Sequence, residues 1–469
     1  MLLDRLNGGH ANGAAPHRSL WLQEALGDAP DAPPLRGTGR ADIAIVGGGY
    51  VGLWTALRLK QADPACDVVI VEADICGGGA SGRNGGQLHG WWERLDVLVK
   101  QFGEEEGRRL AQASEDAIDE IAALETDHGL DFDFRADGWL WTATTPAQVG
   151  AWEGVLEACE ARGITALRRV DAGELLRRTG SPVHLGGVAE DHAATVQPAK
   201  LARGLRSLVL AAGVRLHEHS PVRLERSRPP RLHGPQGTLL ADKVVIATNA
   251  WAARIPELRP HIFVVGSSIA ATEPLGDRLP WRGGEAICDS QARVLYYQAT
   301  PAGRVVFGRG GGRVAALGRV GRRFDHDPRW EADAAEALRR VQPTLADARI
   351  THSWGGPVDA TLSSLPLLGR LGGRDDVLYG VGWSGTGIGP SVLGGRILAS
   401  LALGVDDEWS ACALVDQRDP GRYPPEPVRS FGARLVRSAV IRQGLAEDRG
   451  GRASALTLGV AGLVPGLER

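Results

Sequence analysis

Up to about Arg40 the chain shows no apolar period. Gly, Ala and Pro dominate, as in Ala29-Pro30-Asp31-Ala32-Pro33-Pro34, and Ser19-Leu20-Trp21-Leu22 is the one apolar knot. Such a stretch predicts a loosely held lead-in that docks through that knot. From Ala41 the pattern sharpens. Ile43-Ala44-Ile45-Val46 is a continuous apolar run, a glycine cluster follows, helical spacing continues to Lys60, and Val68-Val69-Ile70-Val71 is a second run. Apolar runs of four bounded by turn residues predict buried strands, and a helix between two of them predicts one βαβ unit.

Beyond it, residues 80–87 form a Gly-rich loop and 95–128 carry helical spacing of charged and apolar positions. Strands are predicted at 138–142, 187–188, 214–216 and 243–248, with a helix at 198–212 and a Pro/Arg-rich hairpin near 228–234. Between about 260 and 351 short alternating runs recur (Arg293-Val294-Leu295-Tyr296-Tyr297, Arg304-Val305-Val306-Phe307), which predicts an antiparallel sheet. Val377-Leu378-Tyr379-Gly380-Val381, a glycine-rich turn and a helix at 389–403 bring the chain back. The expected fold is α/β (α+β): a Rossmann-like dinucleotide-binding domain (41–95, 190–255, 350–405) interleaved with an antiparallel-sheet substrate domain (96–189, 256–349). Residues 1–40 lead in, and 406–469 form a C-terminal extension with a surface helix around Arg434, Arg437 and Arg442.

Composition narrows the partners. At 469 residues the chain suggests two intimately packed domains, and 43% hydrophobic with 23% charged residues is ordinary for a soluble globular protein. With 53 Lys+Arg against 56 Asp+Glu, the formal charge of −3 favours neither nucleic acid nor anionic lipid, and points to a small-molecule partner. Five scattered cysteines (Cys66, Cys76, Cys159, Cys288, Cys412) argue against a disulfide framework or a metal site, and fit a reducing compartment. No signal-peptide core and no run of about 18 apolar residues is present, so a cytoplasmic protein without a membrane partner is expected. For the arginine-rich C-terminal segment, packing against the body or another subunit is favoured over a membrane surface; a homo-oligomer stays open.

Gly47-Gly48-Gly49-Tyr50-Val51-Gly52 satisfies G-x-G-x-x-G between the first strand and the helix. Gly47 permits the tight turn, Gly49 lets the backbone approach a pyrophosphate, and Gly52 lets helix and strand pack closely. Glu72, with Ala73 beside it, ends the second strand about twenty residues on, where a carboxylate can accept both hydroxyls of a ribose. Bound phosphate would explain Arg83; the plain alternative is a salt bridge. Gly310-Gly311-Gly312 lacks the spacing and the trailing acid, so a second, nicotinamide site is not expected.

Together with Ala80-Ser81-Gly82-Arg83-Asn84-Gly85-Gly86-Gln87, Ala247-Thr248-Asn249-Ala250-Trp251 and Gly382-Trp383-Ser384-Gly385-Thr386-Gly387, these motifs resemble the D-amino-acid oxidase superfamily, within it the branch of γ-glutamylputrescine oxidase, glycine oxidase and sarcosine oxidase. The resemblance implies FAD as cofactor. It implies Ser81 and Arg83 near the pyrophosphate, Asn84 to Gln87 nearer the ring, and Thr248, Asn249 and Ala250 on the adenosine side. Val222 would meet adenine, while Gly385, Thr386 and Gly387 would face the flavin pyrimidine. Residues 380–390 contain no cysteine, so non-covalent FAD is expected.

The implied reaction is hydride transfer from the carbon beside nitrogen to the flavin. The imine then hydrolyses to an aldehyde or keto product, and O2 returns as H2O2. Primary amines, polyamine derivatives or aminoalkyl compounds are the expected substrates. The alternatives are an FAD dehydrogenase passing electrons to a quinone or protein, and a flavoprotein without turnover. Candidates for the substrate wall are His89, Trp91, Trp92, Tyr296, Tyr297, Gln298, Trp354 and Trp383, each with core packing as the plain alternative. The arginine that holds a carboxylate in amino-acid oxidases has Gln298 near its place here, with Arg293 or Arg309 as substitutes. No catalytic base declares itself.

Overall fold

A computed structural model describes residues 3–5, 17–28 and 30–463; the rest of the expected lead-in and the last six residues of the extension lie outside the described residues. At the centre of the first sheet, Gly37–Val46 runs parallel to Val68–Val71 on one side and to Gly237–Ile246 on the other. Val377–Val381 and Arg215–His217 extend it, also in parallel. Ile43–Val46 and Val68–Val71 are buried on both faces, as unbroken apolar runs require. Helix Tyr50–Ala62 packs on one face against helices Pro198–Ala211 and Pro390–Leu403. A side chain on Gly52 would run into the carbonyl of Gly47, itself at φ 114°, so turn and helix close only around glycine.

The second sheet has eight strands, in the order Ile350–Ala360, Phe263–Thr272, Val305–Arg309, Leu295–Ala299, Ala286–Asp289, Trp139–Thr142, Gly186–Glu190 and Arg168–Asp171. Its pairs are antiparallel except Ala286–Asp289 with Trp139–Thr142. Helix Pro328–Val341 covers one face, leaving the other toward the first sheet. Ile350–Ala360 corrects an expected boundary. Placed with the cofactor-binding segments on sequence, it pairs along its length with Phe263–Thr272, so the chain returns to the first sheet only at Leu367–Arg370.

The apolar knot forms helix Leu20–Ala25, capped by Ser19 and buried at Leu20, Trp21 and Leu22. At the other end, helix Val428–Glu447 packs with Ala455–Ala461 through Ala439, Val440 and Ala461. Asp448 fastens it to the body, accepting from Gln291 at 2.8 Å and pairing with Arg340 at 3.1 Å. Among the described residues no helix is long and apolar enough to cross a membrane.

Candidate active site

A cavity of about 1040 Å³ lies between the sheets. Its first wall is the glycine turn. Gly47, Gly48 and Gly49 line it where helix Tyr50–Ala62 begins, so the positive end of the helix dipole faces the space. Glu72 closes the far end: one carboxylate oxygen accepts from Gly48 N at 2.7 Å and the other from Asp74 N at 2.8 Å, each keeping a lone pair. Burial pushes its carboxyl up to about 7. Ser81 Oγ accepts from Tyr50 N at 2.9 Å, tying the loop to the helix start. Asn84 folds that loop on itself, donating to the Ala80 and Ser81 carbonyls and accepting from Gly86 N.

Arg83 lines the cavity with its guanidinium already bonded to protein. Its guanidinium donates to the carbonyls of Gly78, Gly355 and His17 at 2.9, 3.2 and 2.9 Å and lies 3.4 Å from Asp325. Its charge is therefore met by the protein, and the residue ties the loop to the second sheet. Gln87 does the same, donating to the Ile287 and Tyr297 carbonyls. Ala73, Ala80, Gly85, Thr248 and Asn249 are on the wall, whereas Gly86, Val222 and Ala250 are buried behind it.

The Gly385-Thr386-Gly387 turn forms the third side. Asp359, from the second sheet, holds that turn by accepting from Gly382 N and Trp383 N, and receives Asn249 Nδ2 at 2.9 Å. Burial raises its carboxyl to about 7. Thr248 Oγ1 and Asn249 Oδ1 are buried beside the cavity without a protein partner. Unspent polar atoms and an open helix start are what a dinucleotide would complete, so the residues present fit FAD.

Alternation along Leu295–Ala299 divides the predicted substrate residues. Tyr296 lines the cavity. Its ring lies between Gly85 and Gly308, where added side chains would collide with it, and its hydroxyl bonds Ser267 Oγ at 2.8 Å. Tyr297 points the opposite way, into the second sheet's core, where its hydroxyl meets His184 Nε2 at 2.7 Å and Gln342 Nε2 at 3.2 Å. Gln298 is buried against the loop, donating to the Gly85 carbonyl at 2.7 Å. Trp354 is enclosed beside Trp21 and donates to the Arg83 carbonyl, and Trp91 and Trp92 are core residues. Tyr297, Gln298, Trp354, Trp91 and Trp92 are therefore corrected from wall to core.

His89 and Trp383 do reach the cavity. His89 stacks on Trp139 with ring centroids 4.5 Å apart, and its Nδ1 lies 3.0 Å from the Gly90 carbonyl. A carbonyl only accepts, so Nδ1 carries the proton and Nε2 keeps its lone pair. Burial lowers its pKa. Sequence reasoning missed Trp139 and Trp141, Glu93, Asp359 and the C-terminal helix, which brings Gly432, Ala433, Val436 and Val440 to the cavity. Trp139-Leu140-Trp141 within a predicted strand was a signal for the first two, because residues two apart share a face. Arg293 and Arg309 are committed to protein partners: both pair with Asp333, and Arg293 also donates to the Gly310 carbonyl.

Residues 42–401 match the family described as FAD dependent oxidoreductase. The γ-glutamylputrescine oxidoreductase of Escherichia coli (strain K12) is 31% identical over 379 residues, 79% of this chain and 86% of that protein. A probable oxidoreductase, OrdL, of Haemophilus influenzae is 29% identical over 394 residues, covering 81% and 86%. The solved glycine oxidase of Geobacillus kaustophilus superposes with a TM-score of 0.64 at 23% identity, over 82% of this chain and all of that one.

Proposed function

The chain belongs to the family of FAD-dependent oxidoreductases, and from that premise we propose that it oxidises a C–N bond of an amine and passes the electrons to O2, releasing H2O2. FAD is its non-covalent cofactor. Bound in the cradle, it supplies acceptance of a hydride from the carbon beside nitrogen and return of the electron pair to oxygen. Glu72 would hold the ribose, the start of helix Tyr50–Ala62 the pyrophosphate, and the turn of Gly385, Thr386 and Gly387 the ring.

The observation that carries the amine reading is the wall facing that cradle. Tyr296, Trp139, Trp141 and Trp383 give it aromatic surface that excludes water, and Glu93, one oxygen paired with Arg94 at 3.0 Å and the other buried and unpartnered, gives it a carboxylate acceptor. A cation between aromatic faces and a carboxylate is well held. The commitment of Arg293 and Arg309 to Asp333 favours a primary amine, polyamine derivative or aminoalkyl compound over an α-amino acid. His89 serves the proton: kept neutral by burial, it can take one from the substrate ammonium at Nε2. The released imine is hydrolysed by water to an aldehyde or keto product.

The test is flavin absorbance under anaerobic conditions while amines, polyamines and amino acids are added singly. Bleaching by one amine class, reversed by air with stoichiometric peroxide, is the expected result; colour that only α-amino acids bleach overturns the substrate reading. A second reading, electron transfer to a quinone, is favoured by one observation: Val428 and Leu463, at the cavity rim, are largely exposed apolar residues. Reoxidation by a quinone analogue without peroxide would select it.

A further inference from the structure

The C-terminal helical pair has two apolar faces. One, with Gly432, Ala433, Val436 and Val440, roofs the cavity. The other is bare: Val428, Phe431 and Leu435, spaced as one helical stripe, are 60%, 69% and 61% exposed. Leu445, Leu456 and Leu463 continue the bare surface. Of the twelve large hydrophobic residues exposed among the described residues, six fall between 428 and 463, so this is a patch and not ordinary scatter.

Charge on the same segment has one sign. Among its described residues from 428 on, the exposed charged ones are Arg434, Arg442, Arg449 and Arg452. The two acids among its described residues from 428 on are turned inward: Glu447 is buried and accepts from Gln443, and Asp448 is spent on Gln291, Arg340 and Arg309. The near-neutral charge of the whole chain conceals this asymmetry.

We propose that the bare face of helix Val428–Glu447 and its partner Ala455–Ala461 docks in the plane of an anionic lipid bilayer, with Phe431 and Leu435 in the acyl boundary and Arg434 and Arg442 at headgroup phosphates. Apolar residues flanked only by arginines are what an interfacial helix presents. A second copy of the chain is the poorer occupant. A two-fold interface would set this patch against itself, bringing like charges together with no acid among the segment's described residues free to pair them. Docking there sets the exposed rim of the cavity, Val428 and Leu463, at the membrane surface. The proposal does not depend on which amine or which electron acceptor is used.

Flotation of the full-length, FAD-loaded protein with vesicles tests it. Retention on phosphatidylcholine vesicles containing phosphatidylglycerol, but not on phosphatidylcholine alone, with release on raising salt from about 0.1 to 0.5 M, is expected. Phe431→Asp with Leu435→Asp should abolish retention, and Arg434→Glu with Arg442→Glu should lower it at least about tenfold. Flavin content stays unchanged in both, since these four residues do not line the cavity. Three results overturn the proposal: no retention on either vesicle, equal retention on both, or retention that neither variant alters. A dimer that Phe431→Asp splits, without vesicle binding, would assign the face to a second copy.

Discussion

On the side of the cavity where the chain enters, the groups offered to a ligand are mostly backbone: the N–H groups after Gly47, the loop around Gly85 and the turn at Gly385. On the facing side they are side chains: Tyr296, Trp139, Trp141, His89 and Glu93. A backbone wall works only if the chain comes close, so it constrains residue type at each step and leaves a spaced glycine pattern. A side-chain wall constrains only which face a residue occupies. The first wall can serve one ligand across a family, while the second can be rewritten without disturbing the strands that carry it.

The largest effect should come from closing the backbone wall. Gly52→Val places a branched side chain against the Gly47 carbonyl, a contact that neither turn nor helix can yield. The purified protein should be colourless, or fail to fold; a variant that keeps its flavin absorbance would mean that the cofactor does not need this close approach.

On the facing wall the largest effect belongs to His89. If Nε2 takes the ammonium proton, His89→Gln should slow anaerobic flavin bleaching about 10²-fold near neutral pH with flavin content unchanged. The deficit should shrink as pH rises and the amine arrives neutral. A deficit independent of pH would make the Trp139 stack, rather than the proton, the reason for the residue.

The same contrast explains what could be read from sequence. Gly47, Gly48 and Gly49, Glu72 and the loop from Ala80 line the cavity together, because strand, turn and acid are coupled through local spacing. Tyr296 and Tyr297 could not be separated, because both fit an aromatic strand and only the pleat decides which one faces the cavity. Trp91 and Trp354 failed for another reason. Trp354 is enclosed with Leu20 and Trp21, and Trp91 within the larger core; both enclosures are long-range, and a large apolar residue carries no mark of them. The strand Ile350–Ala360 went to the wrong sheet since its partner Phe263–Thr272 lies some ninety residues upstream. The second face of the C-terminal helix was hidden because apolar residues on both sides blur its period.

Behind the facing wall sits Glu190, fully buried, with one oxygen accepting from Gly90 N at 2.9 Å and the other unpartnered. Desolvation raises its carboxyl from the ordinary 4.5 to about 8, so folding favours the protonated form. The stability this contributes is present below about 4.5 and is lost as pH rises through about 8. Glu190→Gln keeps the acceptor for Gly90 and removes the charge. Its melting temperature should exceed the parent's above about pH 8, by a free energy on the order of a few kcal/mol, and converge with it near pH 4.5. Parallel curves would mean that the carboxylate stays ionised and is solvated locally.

The smallest effect tests the division of the strand itself. Tyr297→Phe removes a hydroxyl that His184 Nε2 and Gln342 Nε2 share in the core, and should cost about 1 to 2 kcal/mol of stability with steady-state kinetics unchanged. Tyr296→Phe removes only the Ser267 contact, at the half-buried cavity edge, and should leave the melting temperature almost unaltered while raising KM for the amine. Adjacent residues with opposite phenotypes would follow from the pleat and from nothing in the residue type. If Tyr297→Phe altered KM and Tyr296→Phe altered melting, the register of Leu295–Ala299 against Val305–Arg309 would be off by one, and with it the assignment of every side chain on that strand.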